Sequence, residues 1–108
     1  MEQFVLIFRN TLSNLAQTQR KPEVQKQWDD WLKDLATNGA LANGVRPMSE
    51  GAVVNVAGTH NQPFLDGGYV FSGMIVVRTG TIGEAIEIAK RCPIIQAGGN
   101  VEVRGVMS

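Results

Sequence analysis

The segment "YVFSGMIVVR", Tyr69–Arg78, decides the fold class of this chain. It is rich in β-branched and aromatic residues, a composition that predicts a β-strand. Apolar side chains fall on both faces of this strand: Tyr69, Phe71, Ile75 and Val77 on one, and Val70, Met74 and Val76 on the other. Because side chains alternate between the faces of a strand, both sides of the sheet need apolar neighbours here.

Three other segments also predict strands. "QFVLIF", Gln3–Phe8, is apolar on both faces in the same way. "AVVNV", Ala52–Val56, follows a connector rich in Gly, Pro and Ser, and "VEVRGV", Val101–Val106, alternates and closes the chain. We interpret the polar segment after the first strand, "RNTLSNLAQTQRK", as a loop with at most a helical turn, and "AGTHNQPFLDGG" as the loop before Tyr69.

The first helix is expected to begin near Pro22, since proline fits the first helical turn and Glu23 suits the positive end of the helix. Gly39 ends it by supplying the left-handed conformation of a C-cap. Apolar residues recur at helical spacing: Val24, Trp28, Leu32 and Leu35. Core packing is the favoured role of Trp28, whereas Trp31 lies off this stripe and is a candidate for a pocket rim or an interface.

The second helix is expected to begin at Thr81, because Glu84 three residues later completes a capping box. Its predicted buried stripe is Ile82, Ala85, Ile86 and Ala89. Pro93 is expected to stop the helix. Cys92 lies at the negative end, where a thiolate is disfavoured, so we interpret it as a buried packing residue and not as a nucleophile.

The predicted order is strand, helix, strand, strand, helix, strand. With right-handed crossovers, both helices pack on one face of a single antiparallel sheet, which gives a ferredoxin-like βαββαβ fold of the α+β class. Neither helix can then reach the apolar side chains of the opposite face. Since an exposed apolar surface of this size is unusual for a soluble monomer, we expect a homodimer, an assembly of the dimeric α/β-barrel type.

Length and composition bound the class of protein. The 108 residues fit one domain, residues 1–108, and the hydrophobic content of 44% fits a folded chain. Ten basic and ten acidic residues cancel, so a nucleic-acid partner is not expected. One cysteine and one histidine cannot build a zinc site, and we expect neither a metal nor a cofactor.

The sequence also carries expectations about location. Its longest apolar runs are too short to cross a membrane. The N-terminal "MEQFVLIF" has no basic lead and no small-residue cleavage site, so we expect no signal peptide. A single cysteine allows no internal disulfide, which fits a reducing compartment. We therefore expect a cytoplasmic protein without a membrane partner.

Several motifs, taken in order, resemble the YCII-related proteins, particularly the group named for a DGPF motif. The motifs are "NQPF" (Asn61–Phe64), "GGYVF" (Gly67–Phe71), "EAIEIAKRCP" (Glu84–Pro93) and "VEVR" (Val101–Arg104). Together they span most of the chain. The resemblance implies a dimeric ferredoxin-like α+β fold, in agreement with the order of strands and helices.

The resemblance also implies where catalytic residues would lie. Some members of the family are suggested to be enzymes that pair a histidine of the first helix with an aspartate. The histidine position, eleven residues before the helix-ending glycine, is Trp28 here, and the aspartate position before a proline is Cys92. Asn61 and Gln62 replace the Asp-Gly of the motif. These departures leave the catalytic residues unassigned.

Five residues are candidate ligand contacts. His60 could act as a general base, because histidine is the side chain suited to proton transfer near neutral pH, with Asp66 six residues later as a potential partner. The alternative, favoured for a lone histidine, is a solvent-facing residue in a loop beside a turn. Arg9 and Arg46 could each clamp a carboxylate or a phosphate, and they gain weight if they converge with His60. Trp31 is the fifth candidate.

Three functional hypotheses remain open. The leading one is a homodimeric YCII-related protein that binds a small molecule or a protein partner through these five residues. The alternative is a lyase-like or isomerase-like enzyme that acts on a small aromatic or carbonyl compound, with His60 as general base. A purely structural or regulatory interaction module is the third, and it predicts a flat exposed patch with no pocket.

Overall fold

The computed structural model describes residues 1–18, 20–48 and 50–107. The strands are β1 (Glu2–Thr11), β2 (Leu41–Val45), β3 (Val53–Asn55), β4 (Gly58–His60), β5 (Tyr69–Thr79) and β6 (Asn100–Gly105). The helices are α1 (Leu12–Thr18), α2 (Pro22–Thr37), α3 (Ile82–Ala89) and α4 (Pro93–Gln96). Four strands form one antiparallel sheet in the order β2-β5-β1-β6, and β3 pairs with β4 in a separate hairpin. The chain is therefore α+β, as the sequence predicts.

The core lies on one face of the four-stranded sheet. Phe4, Leu6 and Phe8 alternate along β1 and are buried, as are Ile75 and Val77 of β5. The helices contribute Trp31, Leu35, Ala85, Ala89 and Ile94, and Cys92, directly before α4, is the remaining buried member. Because α2, α3 and α4 all reach this cluster, they cover the same face of the sheet, which confirms the predicted placement of the helices.

The opposite face of the sheet keeps apolar side chains that are only partly covered. Val5 and Ile7 of β1 and Met74 and Val76 of β5 alternate with the buried residues and remain partly exposed. Phe71, at the start of β5, is 41% exposed. We call these five residues the open face. Within the described ranges, no helix has the length and apolar character needed to cross a membrane.

The predicted second strand of the sheet, Ala52–Val56, is wrong. Its central residues form β3, which pairs only with β4, and the sheet strand is β2, inside the predicted connector. The Asn43-Gly44 pair hides β2 from sequence patterns because both residues disfavour strands. Tertiary pairing overrides this preference: β2 pairs with β5, and a Cβ at Gly44 would lie 3.2 Å from the Ile75 side chain.

The predicted faces of the third strand are also partly wrong. The pairing of β1 with β5 shifts between Phe8 and Arg9, where Phe8 faces Gly73 and Arg9 faces Phe71. This β-bulge inserts Ser72 as an extra residue and exchanges the faces before it. Val70 is therefore buried on the helix side, whereas Phe71 joins the open face.

The helices differ from the prediction at their edges. The predicted loop after the first strand contains α1, and Pro93 begins α4, whereas α3 already ends at Ala89. On α3, Ile82 and Ile86 are 48% and 40% exposed, so only the two alanines of the predicted stripe are buried. The Thr81 hydroxyl accepts a hydrogen bond from the Glu84 backbone N–H at 3.3 Å, which confirms the predicted N-cap.

Candidate functional site

A cavity of about 650 Å³ lies between α2 and the helix-covered face of the sheet. Val24, Trp28 and Leu32 of α2 form one wall, and Phe8 and Ile75 belong to the facing strands. The other apolar lining residues are Leu15, Leu41, Val45, Met74, Ile94 and Ala97. A volume of this order and a mainly apolar lining are typical of small-molecule sites.

Three aromatic rings pack together at this wall, and two of them, Phe8 and Trp28, line the cavity. Phe8 and Trp28 meet edge to face, with ring centroids 5.2 Å apart and planes inclined at 74°. Trp31 completes the cluster, 5.7 Å from Trp28 and 6.0 Å from Phe8. Trp28 is half-buried and lines the cavity, whereas Trp31 is 9% exposed and belongs to the core. The sequence favours Trp28 for the core and Trp31 for a pocket rim or an interface. The structure shows the reverse.

A fully buried amide, Asn10, lines the same cavity. Its Oδ1 accepts hydrogen bonds from the Thr11 backbone N–H at 2.8 Å and from Asn14 Nδ2 at 2.9 Å. Its Nδ2 donates to the carbonyl oxygen of Ala97 at 3.2 Å. Three bonds to three segments fix the orientation of the amide, so Asn10 ties β1 to α1 and to the end of α4.

Arg46 is the cationic residue that lines the cavity. It follows β2 directly and is exposed. A Cβ built on Gly73 would lie 3.6 Å from Arg46 Cγ, 3.6 Å from Phe8 Cδ2 and 3.0 Å from the Val45 carbonyl oxygen. The absence of a side chain at Gly73 therefore relieves the Val45 carbonyl oxygen, directly before Arg46, and leaves Arg46 and Phe8 both beside the same glycine.

The anionic residue of the lining is Asp29, on α2. It is exposed, and it forms no ion pair with Arg46 in the part of the chain described. The cavity thus combines an aromatic wall, a buried amide and two separate charges of opposite sign. Such a lining can accept a flat ring and can bond polar substituents on its edge.

The structure does not gather the residues that the sequence proposes as ligand contacts. Arg9 forms an ion pair with Glu102 of β6, with Nη1 and Oε1 2.7 Å apart. Its neighbours in β1, Phe8 and Asn10, are both buried on the cavity side of the sheet. Since Arg9 does not line the cavity, Arg46 is the member of the predicted set that does.

His60 and Asp66 lie in the segment that connects β2 to β5 and contains the β3–β4 hairpin. His60 ends β4, is exposed and faces Val53 across the hairpin. Asp66 is also exposed and pairs through its backbone with Tyr69, closing a turn in which Gly67 and Gly68 have positive φ. Neither residue lines the cavity, so the structure supports the interpretation of His60 as a solvent-facing residue.

Cys92 is buried and free, as predicted. Burial raises the pKa of its thiol to about 12, although a backbone hydrogen bond from Ile94 acts in the opposite direction. A thiol of this kind stays protonated at neutral pH and is a poor nucleophile. Of the two positions that the family resemblance marks, Trp28 therefore lines the cavity and Cys92 packs in the core.

Sequence reasoning missed Asn10, Asp29 and Gly73. Asn10 falls in a segment interpreted as a loop, and Asp29 falls on the polar side of the predicted helix. A buried strand-end asparagine has no sequence signature of its own, because its role depends on Ala97, which is distant in the chain, as well as on the nearby Thr11 and Asn14. A glycine within an apolar strand, such as Gly73, is the one usable signal, since it marks bulges and close approaches.

No family model matches the sequence, and no curated protein matches it. Among solved structures, the fold is similar to that of 5-chloro-2-hydroxyhydroquinone dehydrochlorinase from Burkholderia phenoliruptrix in complex with 2,5-dihydroxybenzoquinone. The TM-score is 0.64 and the sequence identity 10%, and the match covers 97% of this chain and 93% of the enzyme. At this identity the similarity shows a shared fold alone.

Proposed function

We propose that this protein binds a small aromatic molecule in the cavity between α2 and the sheet. The observation that carries the proposal is the pair formed by Phe8 and Trp28, whose rings line a cavity of about 650 Å³. Aromatic rings prefer edge-to-face and offset contacts with other rings, and a flat ligand can extend this cluster in the same geometry. A cavity of this size also argues against an interaction module with only a flat patch.

The fold similarity supports the same ligand class. The enzyme from Burkholderia phenoliruptrix is a dehydrochlorinase of a hydroxyhydroquinone, and its structure holds a dihydroxybenzoquinone. Folds host many functions, so this comparison raises the weight of an aromatic ligand without identifying one. The proposal includes the family of the chain: we propose a YCII-related protein with a ferredoxin-like fold. We also propose that it acts in the cytoplasm.

The proposed protein is a homodimer. The open face supports this, because Val5, Ile7, Met74 and Val76 lie side by side on two paired strands. A second copy of the same face would remove them from water, and a two-fold pair of sheets needs no further partner. The cavity lies mainly on the helix-covered side of the sheet, and Met74 is the open-face residue that also lines it.

Calorimetric titration with 2,5-dihydroxybenzoquinone tests the binding proposal. We expect saturable binding, one molecule per chain, with Val24→Trp abolishing it by filling the cavity. Val54→Trp, on the exposed β3, is the matched control and should bind like the wild type. Absence of saturable binding for this compound and for a panel of hydroxylated benzenes would remove the proposal, as would equal affinities of the two tryptophan variants.

An enzyme of the lyase or isomerase type is the second candidate function, favoured by the activity of the structural neighbour. His60 does not line the cavity, so the carboxylate of Asp29 is the group there that could accept a proton from a bound ring. Turnover of a chlorinated hydroxyhydroquinone, lost in Asp29→Asn and kept in His60→Ala, is the expected result. Loss of turnover in His60→Ala with full activity of Asp29→Asn would reverse the assignment.

A further inference from the structure

The position of Arg46 depends on the glycine at position 73. Gly73 lies in β5 opposite Phe8, with φ +155°, in a region that favours glycine. A Cβ there would crowd the Val45 carbonyl oxygen at 3.0 Å and would contact both Arg46 Cγ and Phe8 Cδ2 at 3.6 Å. The aliphatic part of an arginine commonly packs on apolar surface while the guanidinium stays in water. The Arg46 stem and the Phe8 ring therefore both lie beside Gly73, at the lining of the cavity.

Among the residues that the structure describes, Arg46 has no carboxylate partner. The ion pairs among residues 1–18, 20–48 and 50–107 join Arg9, Arg104, Lys26 and Lys90 to carboxylates, and Arg46 is in none of them. It has no side-chain hydrogen bond to a protein acceptor in these ranges either. A guanidinium offers five donors in a planar fork that matches a carboxylate or a phenolate.

Asp29 opposes the binding of an anion, because it brings a negative charge to the cavity that Arg46 also lines. It sits on the exposed side of α2, one residue beyond Trp28, and is exposed itself. A carboxylate accepts hydrogen bonds and can hold a hydroxyl group of the ligand. A ligand with an anionic oxygen for Arg46 and a hydroxyl for Asp29 satisfies both residues.

We infer that the ligand class is a hydroxylated aromatic anion, with its ring against Phe8 and Trp28 and its anionic oxygen on the Arg46 guanidinium. This inference rests on the proposed function, since it describes the ligand of the same cavity. Arg46 selects for charge, and Gly73 is a positioning residue that holds the arginine at the cavity. The apolar ring enters the cavity, and the charged group stays near water at the exposed arginine, where its desolvation is least costly.

Three probes of one shape and different charge test the inference by calorimetry. They are 4-hydroxybenzoate (anionic), 4-hydroxybenzamide (neutral) and 4-hydroxybenzamidine (cationic). In the wild type, we expect the anion to bind about tenfold tighter than the neutral amide, the effect of one charge-assisted hydrogen-bonded pair near the surface. Arg46→Gln should reduce this ratio to about one while the amide still binds.

Lys33→Gln is the matched control, because it removes one positive charge from α2 at an exposed position outside the cavity lining. It should keep the tenfold preference. Gly73→Ala brings a Cβ to 3.0 Å from the Val45 carbonyl oxygen at a positive φ, so it should shift the end of β2, move the adjacent Arg46 and lower the preference. Circular dichroism shows whether that variant folds; the Arg46→Gln result decides if it does not. Arg46→Lys should give an intermediate ratio, since it keeps the charge but loses the fork.

The outcomes separate the two levels of the proposal. Equal binding of all three probes to the wild type, with Val24→Trp abolishing it, would overturn the inference and leave the aromatic cavity site in place. Tightest binding of the cationic probe would also overturn it and would assign charge selection to Asp29. If neither 2,5-dihydroxybenzoquinone nor any of the aromatic compounds binds, the proposed function itself fails.

Discussion

The ring of Phe8 meets the ring of Trp28 edge to face across the boundary between core and cavity, with centroids 5.2 Å apart. Phe8 belongs to the buried row of β1, and Trp28 is half-buried on α2. Trp31 lies against both rings on the core side. The same aromatic cluster therefore stabilises the packing of α2 on the sheet and forms the wall of the cavity.

The two tryptophans should separate stability from binding. Trp31→Ala removes a buried indole and should lower the free energy of unfolding by about 3–5 kcal/mol. Trp28→Ala loses two ring contacts of about 0.5–1.5 kcal/mol each and less burial, so its cost should be smaller. Urea unfolding measures both, and calorimetry should show that Trp28→Ala loses aromatic binding. Equal stability costs, or unchanged binding in Trp28→Ala, would contradict this division.

Asn10 should be a stabilising residue out of proportion to its size. Replacement by alanine leaves the Thr11 N–H, Asn14 Nδ2 and the Ala97 carbonyl without their partner, and an unsatisfied buried group costs about 1–3 kcal/mol. Asn43→Ala is the control, because Asn43 is exposed and bonds only to the next backbone N–H. Its change should stay within about 0.5 kcal/mol in urea unfolding. Comparable decreases in the free energy of unfolding of the two variants would show that the Asn10 hydrogen bonds make no special contribution to stability.

The buried thiol should make stability depend on alkaline pH. The folded state raises the pKa of Cys92 from 9.0 to about 12. The unfolded chain therefore releases a proton above about pH 9 that the folded chain keeps, so folding loses stability as the pH rises from about 9 towards about 12. The slope approaches about 1.4 kcal/mol per pH unit within this window and vanishes below it.

Urea unfolding of the wild type and of Cys92→Ala at about pH 8 and about pH 10.5 measures this effect. The variant lacks the titrating group, so its stability should fall less over the interval, and other alkaline groups cancel in the comparison. Iodoacetamide should alkylate Cys92 at about pH 8.5 only after unfolding. Parallel pH profiles, or rapid alkylation of the native chain, would show that the thiol is accessible.

The open face should control assembly. We expect the wild type to have twice the chain mass of 11.7 kDa in solution, measured by light scattering at micromolar concentration. Val76→Asp places a charge at the centre of the open face and should give a single-chain mass, because an unpaired charge is costly to bury. Ile82→Asp, at an exposed position of α3, should remain a dimer. A wild type with the mass of one chain would refute the homodimer.

Local patterns account for the elements whose residues carry their own signals. β5 is found where its β-branched run predicts it, α2 begins at Pro22, and Thr81 caps α3. Gly39 adopts φ +73° after α2, as a C-cap requires. Each of these signals acts within a few residues of the chain, so it can be read before the partners in space are known.

Other features depend on contacts between distant segments. β2 forms although Asn43 and Gly44 disfavour a strand, because the edge of β5 offers it hydrogen bonds. The bulge opposite Phe8 exchanges the faces of β5, and Gly73 is its one local sign, which does not tell how the faces change. His60 and Arg9 carry the residue types of a site but lie outside the cavity, whereas Asn10 and Asp29 line it.

The sequence by itself determined the class of the fold, since alternation and capping are short-range consequences of side-chain shape and hydrogen bonding. It also set the apolar strand faces from which the dimer is proposed. Only the tertiary structure decided which side chains share a cavity, because a one-residue shift in strand pairing turns every neighbouring side chain to the other face. Because of that pairing, Arg46 and Trp28 line the same cavity. Gly73 lies next to Arg46 and to the Phe8 ring.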